Sequence, residues 1–111
     1  MKAISLKEPW ASLVLEGRKT IETRVWKTNY RGRLLLCASK NPKSSISGKA
    51  FATATLVEIR PMVKADEKEA CCKVYDGAYA WILSDITAIK PFGVKGQLGL
   101  FSIDCKEIQK S

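Results

Sequence analysis

Gly17-Arg18-Lys19-Thr20-Ile21-Glu22-Thr23-Arg24 is the stretch at which the pattern of this chain changes from helical to extended. Upstream, Glu8-Pro9-Trp10 opens a helix, with proline in the first turn where its missing N–H costs little. Trp10, Leu13 and Val14 recur at helical spacing and predict one shared apolar face, and Gly17 is a natural C-terminal stop. Downstream, residues 20–26 are rich in β-branched and aromatic side chains and predict a strand. The eight residues also hold three basic groups, one carboxylate and two hydroxyls. Charges this dense beside a core element are costly to bury unless they pair with one another or with a ligand.

Residues 1–6 alternate enough for a first strand, and Asn29-Tyr30-Arg31-Gly32 predicts a turn before an apolar strand at 33–38. Residues 41–48, with Pro42, Gly48 and three serines, read as a surface loop, and 50–59 as a long strand. Residues 64–73 carry helix formers and i,i+4 charge options, predicting a second short helix. Strands are expected at 78–83, 86–90 and 97–105, the last two joined by the turn-like Pro91-Phe92-Gly93-Val94-Lys95-Gly96. Six or seven short strands with two helices predict a mostly β, α+β fold, a small and mostly antiparallel β-barrel with helices at its ends. The 111 residues read as one domain over 1–111, long enough to bury roughly two thirds of the surface of the unfolded chain.

The net charge is +8, and it is one-sided. Residues 1–60 hold twelve Lys/Arg against Glu8, Glu16, Glu22 and Glu58, whereas residues 61–111 hold seven of each sign. A basic half attracts polyanions; the alternative is a solvated, solubilising face. No apolar run approaches the ~20 residues that span a bilayer, and Met1-Lys2 leads into Ala3-Ile4-Ser5-Leu6 without a signal-peptide pattern. No membrane partner is expected, and the expected location is cytoplasmic. Cys37, Cys71, Cys72 and Cys105 lack CxxC spacing, so reduced thiols are expected rather than a metal clamp or disulfide framework, with Cys37 and Cys105 in the core. The chain has no histidine, which excludes Ser-His-Asp, Cys-His and HExxH chemistry. No metal or other cofactor is expected.

Glu22 and Arg24 share a face of an extended strand, either as an ion pair stiffening an edge or as a ligand site. Arg24 offers a planar fork to a phosphate or base edge, and Glu22 can accept from an exocyclic amine. Lys19, at the turn, can swing to either face; desolvated against Trp10, it is a candidate base or nucleophile. Trp10, Trp26, Tyr30, Tyr79 and Trp81 lie among the basic residues Lys7, Lys27 and Arg31. Aromatic side chains interleaved with cations suit the stacking of unpaired bases. Core burial is the expected role of Trp81 and Trp10, while Trp26 and Tyr30 are the better exposed candidates. Lys95-Gly96 either forms a plain turn or sets a cation beside an anion.

Taken in order, Ile4-Ser5-Leu6, Pro9-Trp10-Ala11 and Gly17-x-Lys19-x-x-Glu22-x-Arg24 resemble the ASCH domain family. Tyr30-Arg31-Gly32-Arg33-Leu34-Leu35, Tyr79-Ala80-Trp81-Ile82-Leu83 and Lys95-Gly96-x-x-Gly99-Leu100 are similar to its later motifs. The resemblance implies a PUA-like β-barrel and an RNA-binding cleft beside the first helix, lined by Lys19, Glu22 and Arg24 with Trp10 nearby. Some small bacterial members are amidohydrolases that deacetylate N4-acetylcytidine using a Lys, a Thr and a distant Glu. Lys19 matches that Lys, but Glu22 stands at the Thr position, and Cys37 stands where many relatives carry His.

The expected partner is therefore RNA or a nucleotide or nucleoside. The expected contacts are Lys19, Glu22, Arg24, Trp10, Trp26, Tyr30, Arg31 and Lys95. The enzymatic alternative is hydrolysis of a modified nucleoside, with Lys19 as base or nucleophile and Glu22 as its proton partner. Ribonuclease activity and a protein–protein adaptor whose positive face meets an acidic protein are further alternatives.

Overall fold

In chain order, the computed structural model, which describes residues 1–104 and 108–110, runs β1 (Lys2–Leu6), α1 (Trp10–Leu15), β2 (Ile21–Arg24), β3 (Gly32–Ala38) and β4 (Lys49–Pro61). A single 3-10 turn (Lys64–Asp66) leads into α2 (Glu67–Ala70), then β5 (Tyr79–Gly93) and β6 (Phe101–Ser102). The six strands form one mixed sheet in the order β2-β5-β4-β3-β1-β6. Neighbours are antiparallel except β1 and β3, which run parallel with Leu6 opposite Ala38. No described helix is long and apolar enough to cross a membrane.

Strand β3 decides where the core lies. Leu34, Leu36 and Ala38 point to one face, where they meet Ile4 and Leu6 of β1, Ala11 and Val14 of α1, Phe51 of β4 and Trp81 of β5. Leu35 and Cys37 point to the other face, against Ala3, Ala50, Ile89 and Phe101. A strand buried on both faces needs a continuous apolar run, and Leu34-Leu35-Leu36-Cys37-Ala38 supplies it. A third cluster of Ile21, Met62, Ala70, Ala78 and Ala80 seats α2 on the sheet. Ile46 anchors the 41–48 loop in the main core as its one buried residue.

Several expected boundaries move. The strands expected at 78–83 and 86–90 merge into one fifteen-residue strand, Tyr79–Gly93, because Asp85 takes a left-handed φ of 50° and is absorbed as a bulge. Thr55 pairs with Ser84 and Thr53 with Thr87, so β5 carries the extra residue there. Pro91-Phe92-Gly93, expected as a turn, continues that strand against Lys49 and Ala50. Of the strand expected at 97–105, the described residues form only Phe101–Ser102, position 105 lying outside them, and that at 20–26 contracts to Ile21–Arg24. The helix expected at 64–73 is one 3-10 turn and one α turn, stopped by Cys71 at φ 57°. On α1 the buried pair is Ala11 and Val14, and Trp10 faces outward with 36% of its surface exposed. Cys37 is buried as expected, whereas Cys105 lies outside the described residues.

The sheet curls so that its two ends approach. Strand β2 ends the order on one side, while β6 covers β1 only at Lys2 and Ala3. The outer edge of β1 near Ser5 therefore lacks a strand neighbour among the described residues. Arg24 of β2 fills that gap by donating from Nη2 to the Ser5 carbonyl oxygen at 2.7 Å. A side chain, rather than a ladder, stitches the seam.

Candidate functional site

The seam opens onto a cavity of about 940 Å³. The local chain path explains how Lys19 comes to line it. Gly17 takes a φ of 81°, reversing the backbone after α1, and the amides of Arg18 and Lys19 both donate to the Leu13 carbonyl at 2.9 and 3.1 Å. The Thr20 amide then donates to the Glu69 carbonyl of α2, and the Thr20 carbonyl accepts from Leu83 of β5. Lys19 is thus clamped between both helices and the sheet, with only 1% of its side chain exposed.

Its charge is met in two ways. Lys19 Nζ donates to the Ala70 carbonyl, at the C-terminal end of α2, and lies 3.5 Å from Glu22 Oε1. The other oxygen, Glu22 Oε2, accepts from Arg24 Nε at 3.1 Å and Arg24 Nη2 at 2.8 Å. One carboxylate is therefore shared by two cations. The edge ion pair and the ligand site considered for this strand are the same group of atoms.

Around this trio the cavity is lined by Lys7, Lys40 and Lys95, giving five cations against one carboxylate. Trp10 and Tyr75, 36% and 42% exposed, add aromatic surface, and Leu98 stands 99% exposed on the lining. Tyr75 Oη donates to Thr23 Oγ1 at 3.0 Å, and Thr23 Oγ1 lies 3.9 Å from Cys72 Sγ. Among the described residues no three His, Cys, Asp or Glu side chains gather as metal ligands.

A model of the ASCH domain matches residues 4–93. The chain belongs to the ASCH domain family. Activating signal cointegrator 1 from Mus musculus and from Homo sapiens are each 40% identical to it over 55 residues. That match covers 49% of this chain and 10% of theirs, so the chain spans about a tenth of the length of these relatives. The crystal structure of ASCH from Zymomonas mobilis aligns with a TM-score of 0.73 at 19% identity, over 93% of this chain and 87% of that one. A point mutant of the same bacterial protein gives 0.71 at 19% identity, over 93% and 89%. The likeness establishes the fold, an ASCH or PUA-like mixed sheet with two short helices.

Within this ASCH domain, five of the eight expected contact residues line one cavity: Trp10, Lys19, Glu22, Arg24 and Lys95. The other three are placed elsewhere. Trp26 packs edge-on against Trp81, with ring centroids 4.9 Å apart, and its carbonyl accepts from Trp81 Nε1 at 3.3 Å. Tyr30 donates its hydroxyl to the Arg33 carbonyl. Arg31 Nη1 donates to the carbonyls of Thr28 and Tyr30, closing its own turn. Of the two roles considered for Trp10, core residue and ligand contact, its position on the cavity wall fits the second.

Lys7 and Lys40 were not among the expected contacts for a topological reason. They follow the C-terminal ends of β1 and β3, which meet on one side of the sheet only because these strands are parallel. Tyr75 comes from the irregular stretch after α2, which no periodic pattern flags, and Cys72 from the end of the segment expected as helix, just past where α2 stops.

Proposed function

We propose that this ASCH domain binds RNA or its nucleotide units in the cavity beside α1. The observation that carries this reading is the lining: five cations to one carboxylate, with Trp10 and Tyr75 partly exposed on the same walls. Excess positive charge draws phosphates, and exposed aromatic faces accept bases, each stacked base contributing about 1–3 kcal/mol. At about 940 Å³ the cavity is at the upper end of small-ligand pockets, which run to about 1,000 Å³. It is roomy for one base and suits a nucleotide with its neighbours. Affinity for single-stranded RNA should fall with salt on a log–log slope of about −3 if roughly four phosphates are contacted. A flat salt dependence, or no retention of RNA at about 50 mM salt, overturns the reading.

A second reading is favoured by one feature, the nearly solvent-free Lys19 amine 3.5 Å from a carboxylate oxygen. That pair suits hydrolysis of an N4-acetylcytidine-type amide. Water adds to the acetyl carbonyl, the C–N bond breaks, and acetate and the cytosine amine depart, with Lys19 and Glu22 relaying the proton from water to the leaving nitrogen. Acetate release from N4-acetylcytidine, abolished in Lys19→Ala, tests it. No acetate, or full activity without Lys19, rules it out.

A further inference from the structure

Counting donors and acceptors around Lys19 narrows what the cavity can hold. Glu22 Oε2 takes two bonds from Arg24, and Glu22 Oε1 faces Lys19. The Ser5 and Ala70 carbonyls are each taken by a cation. Each of these oxygens already faces a cation, so an exocyclic amine of a base would have to share its acceptor with Lys19 or Arg24. Donors remain. Arg24 Nη1 has no hydrogen-bond partner among the described residues, and Lys19 has one N–H beyond those aimed at Ala70 and Glu22. Ser5 Oγ is the one buried side-chain oxygen or nitrogen without a partner among the described residues.

The charge count agrees. Two cations share one carboxylate where the side chains of Lys19, Glu22 and Arg24 are 1%, 11% and 21% exposed. A poorly solvated site with one net positive charge is stabilised by an anion rich in acceptor oxygens. Access to this floor is one-sided. Lys19 closes it from beneath, and Gly96 covers Ser5 so tightly that a Cβ at Gly96 would stand 3.1 Å from Ser5 Oγ. Gly96 is itself exposed in an irregular segment, and a ligand reaching the hydroxyl requires that segment to move outward.

We propose that Lys19, Arg24 and Ser5 receive a terminal phosphomonoester, the phosphorylated end of an RNA or nucleotide. An internal phosphodiester continues as chain on both sides and carries one charge. A terminal monoester has one connection, three free oxygens and a charge of about −1.5 to −2 at neutral pH. The proposal rests on the cavity being the nucleotide-binding site, and it reverses the expectation that Glu22 reads a base amine.

The test uses the full chain and one short RNA sequence prepared with a 5′-phosphate, with a 3′-phosphate, or with hydroxyls at both ends. Binding is measured at one salt concentration. One phosphorylated form should bind about tenfold more tightly or better than the hydroxyl form. Inorganic phosphate should compete with that form, which shows the anion alone to be recognised. Ser5→Ala keeps the backbone carbonyl that Arg24 uses, and should narrow the preference for the phosphorylated end. Equal binding of all three RNAs overturns the proposal while leaving RNA binding intact. A full preference surviving in Ser5→Ala overturns the assignment to this floor. Failure of all three to bind removes the RNA reading and this one together.

Discussion

Arg24, on the strand that ends the sheet on one side, donates to the carbonyl of Ser5, on the strand next to the last on the other. The same guanidinium closes on Glu22 through two bonds to one oxygen. One arginine thus connects the closure of the fold to the electrostatics of the cavity. It also explains why the dense charge of the 17–24 stretch is tolerated beside the core. Lys19, Glu22 and Arg24 pair with one another and with two backbone carbonyls, while Arg18 is exposed to solvent.

Removing the arm opens the seam. Arg24→Ala leaves the Ser5 carbonyl without its donor and Glu22 with Lys19 alone, and should cost about 2–3 kcal/mol. Arg24→Lys restores the charge but not the fork, and should recover only part of the loss. Urea unfolding gives the comparison, with a lower midpoint and an unchanged slope expected. A midpoint equal to the parent's in Arg24→Ala would mean that the seam holds without it.

Lys7, Lys40 and Lys95 separate binding from stability, because all three are exposed. Each single change to alanine should leave unfolding within about 0.5 kcal/mol of the parent. Each that removes a phosphate contact should flatten the log–log salt slope for single-stranded RNA by about 0.7. Three variants with the parent's affinity and slope would place the RNA somewhere other than this cavity.

Much of this architecture is legible in the sequence. Gly17 marks the end of α1 because a left-handed turn there suits glycine, and the i,i+2 spacing of Glu22 and Arg24 puts them on one face. The illegible parts have physical causes. Asp85 bends one long strand so that its halves read as two. The parallel pairing of β1 with β3, which brings Lys7 beside Lys40, joins segments some thirty residues apart and leaves no local trace. Trp26 and Tyr30 look like stacking residues in sequence, yet one meets Trp81 and the other a backbone carbonyl. Tertiary contacts, absent from any window of sequence, decide which aromatic side chains remain available.

Trp81 should be the costliest aromatic residue to lose. It is fully buried, packs edge-on against Trp26 and donates its indole N–H to the Trp26 carbonyl. Trp81→Ala should lose about 3–5 kcal/mol, and Trp81→Phe about 1–2 kcal/mol through the missing bond and volume. Near-ultraviolet circular dichroism of Trp81→Phe should lose the signal of the paired indoles. A Trp81→Ala protein as stable as the parent would contradict the packing described here.

Arg60 and Asp66 make the fold sensitive to acid. Arg60 Nη1 and Nη2 donate to Asp66 Oδ2 and Oδ1, both at 2.8 Å, and the Val63 amide donates to Oδ2 at 2.9 Å. The bonds from Arg60, helped by the Val63 amide and opposed by burial, hold the Asp66 carboxyl at about 2, below its ordinary 3.8. The folded state therefore releases this proton more readily than the unfolded chain. The contribution is complete above about pH 4 and is lost as pH falls through the interval from 3.8 to about 2. Asp66→Asn removes the titrating group, so its stability deficit relative to the parent should be constant near neutrality and shrink across that interval. Arg60 is 37% exposed, so added salt should weaken the effect. Urea unfolding of both proteins from neutral pH down to about pH 2 checks the sign. A deficit that widens as the solution becomes more acidic would show that Asp66 is not held as the charged partner of Arg60.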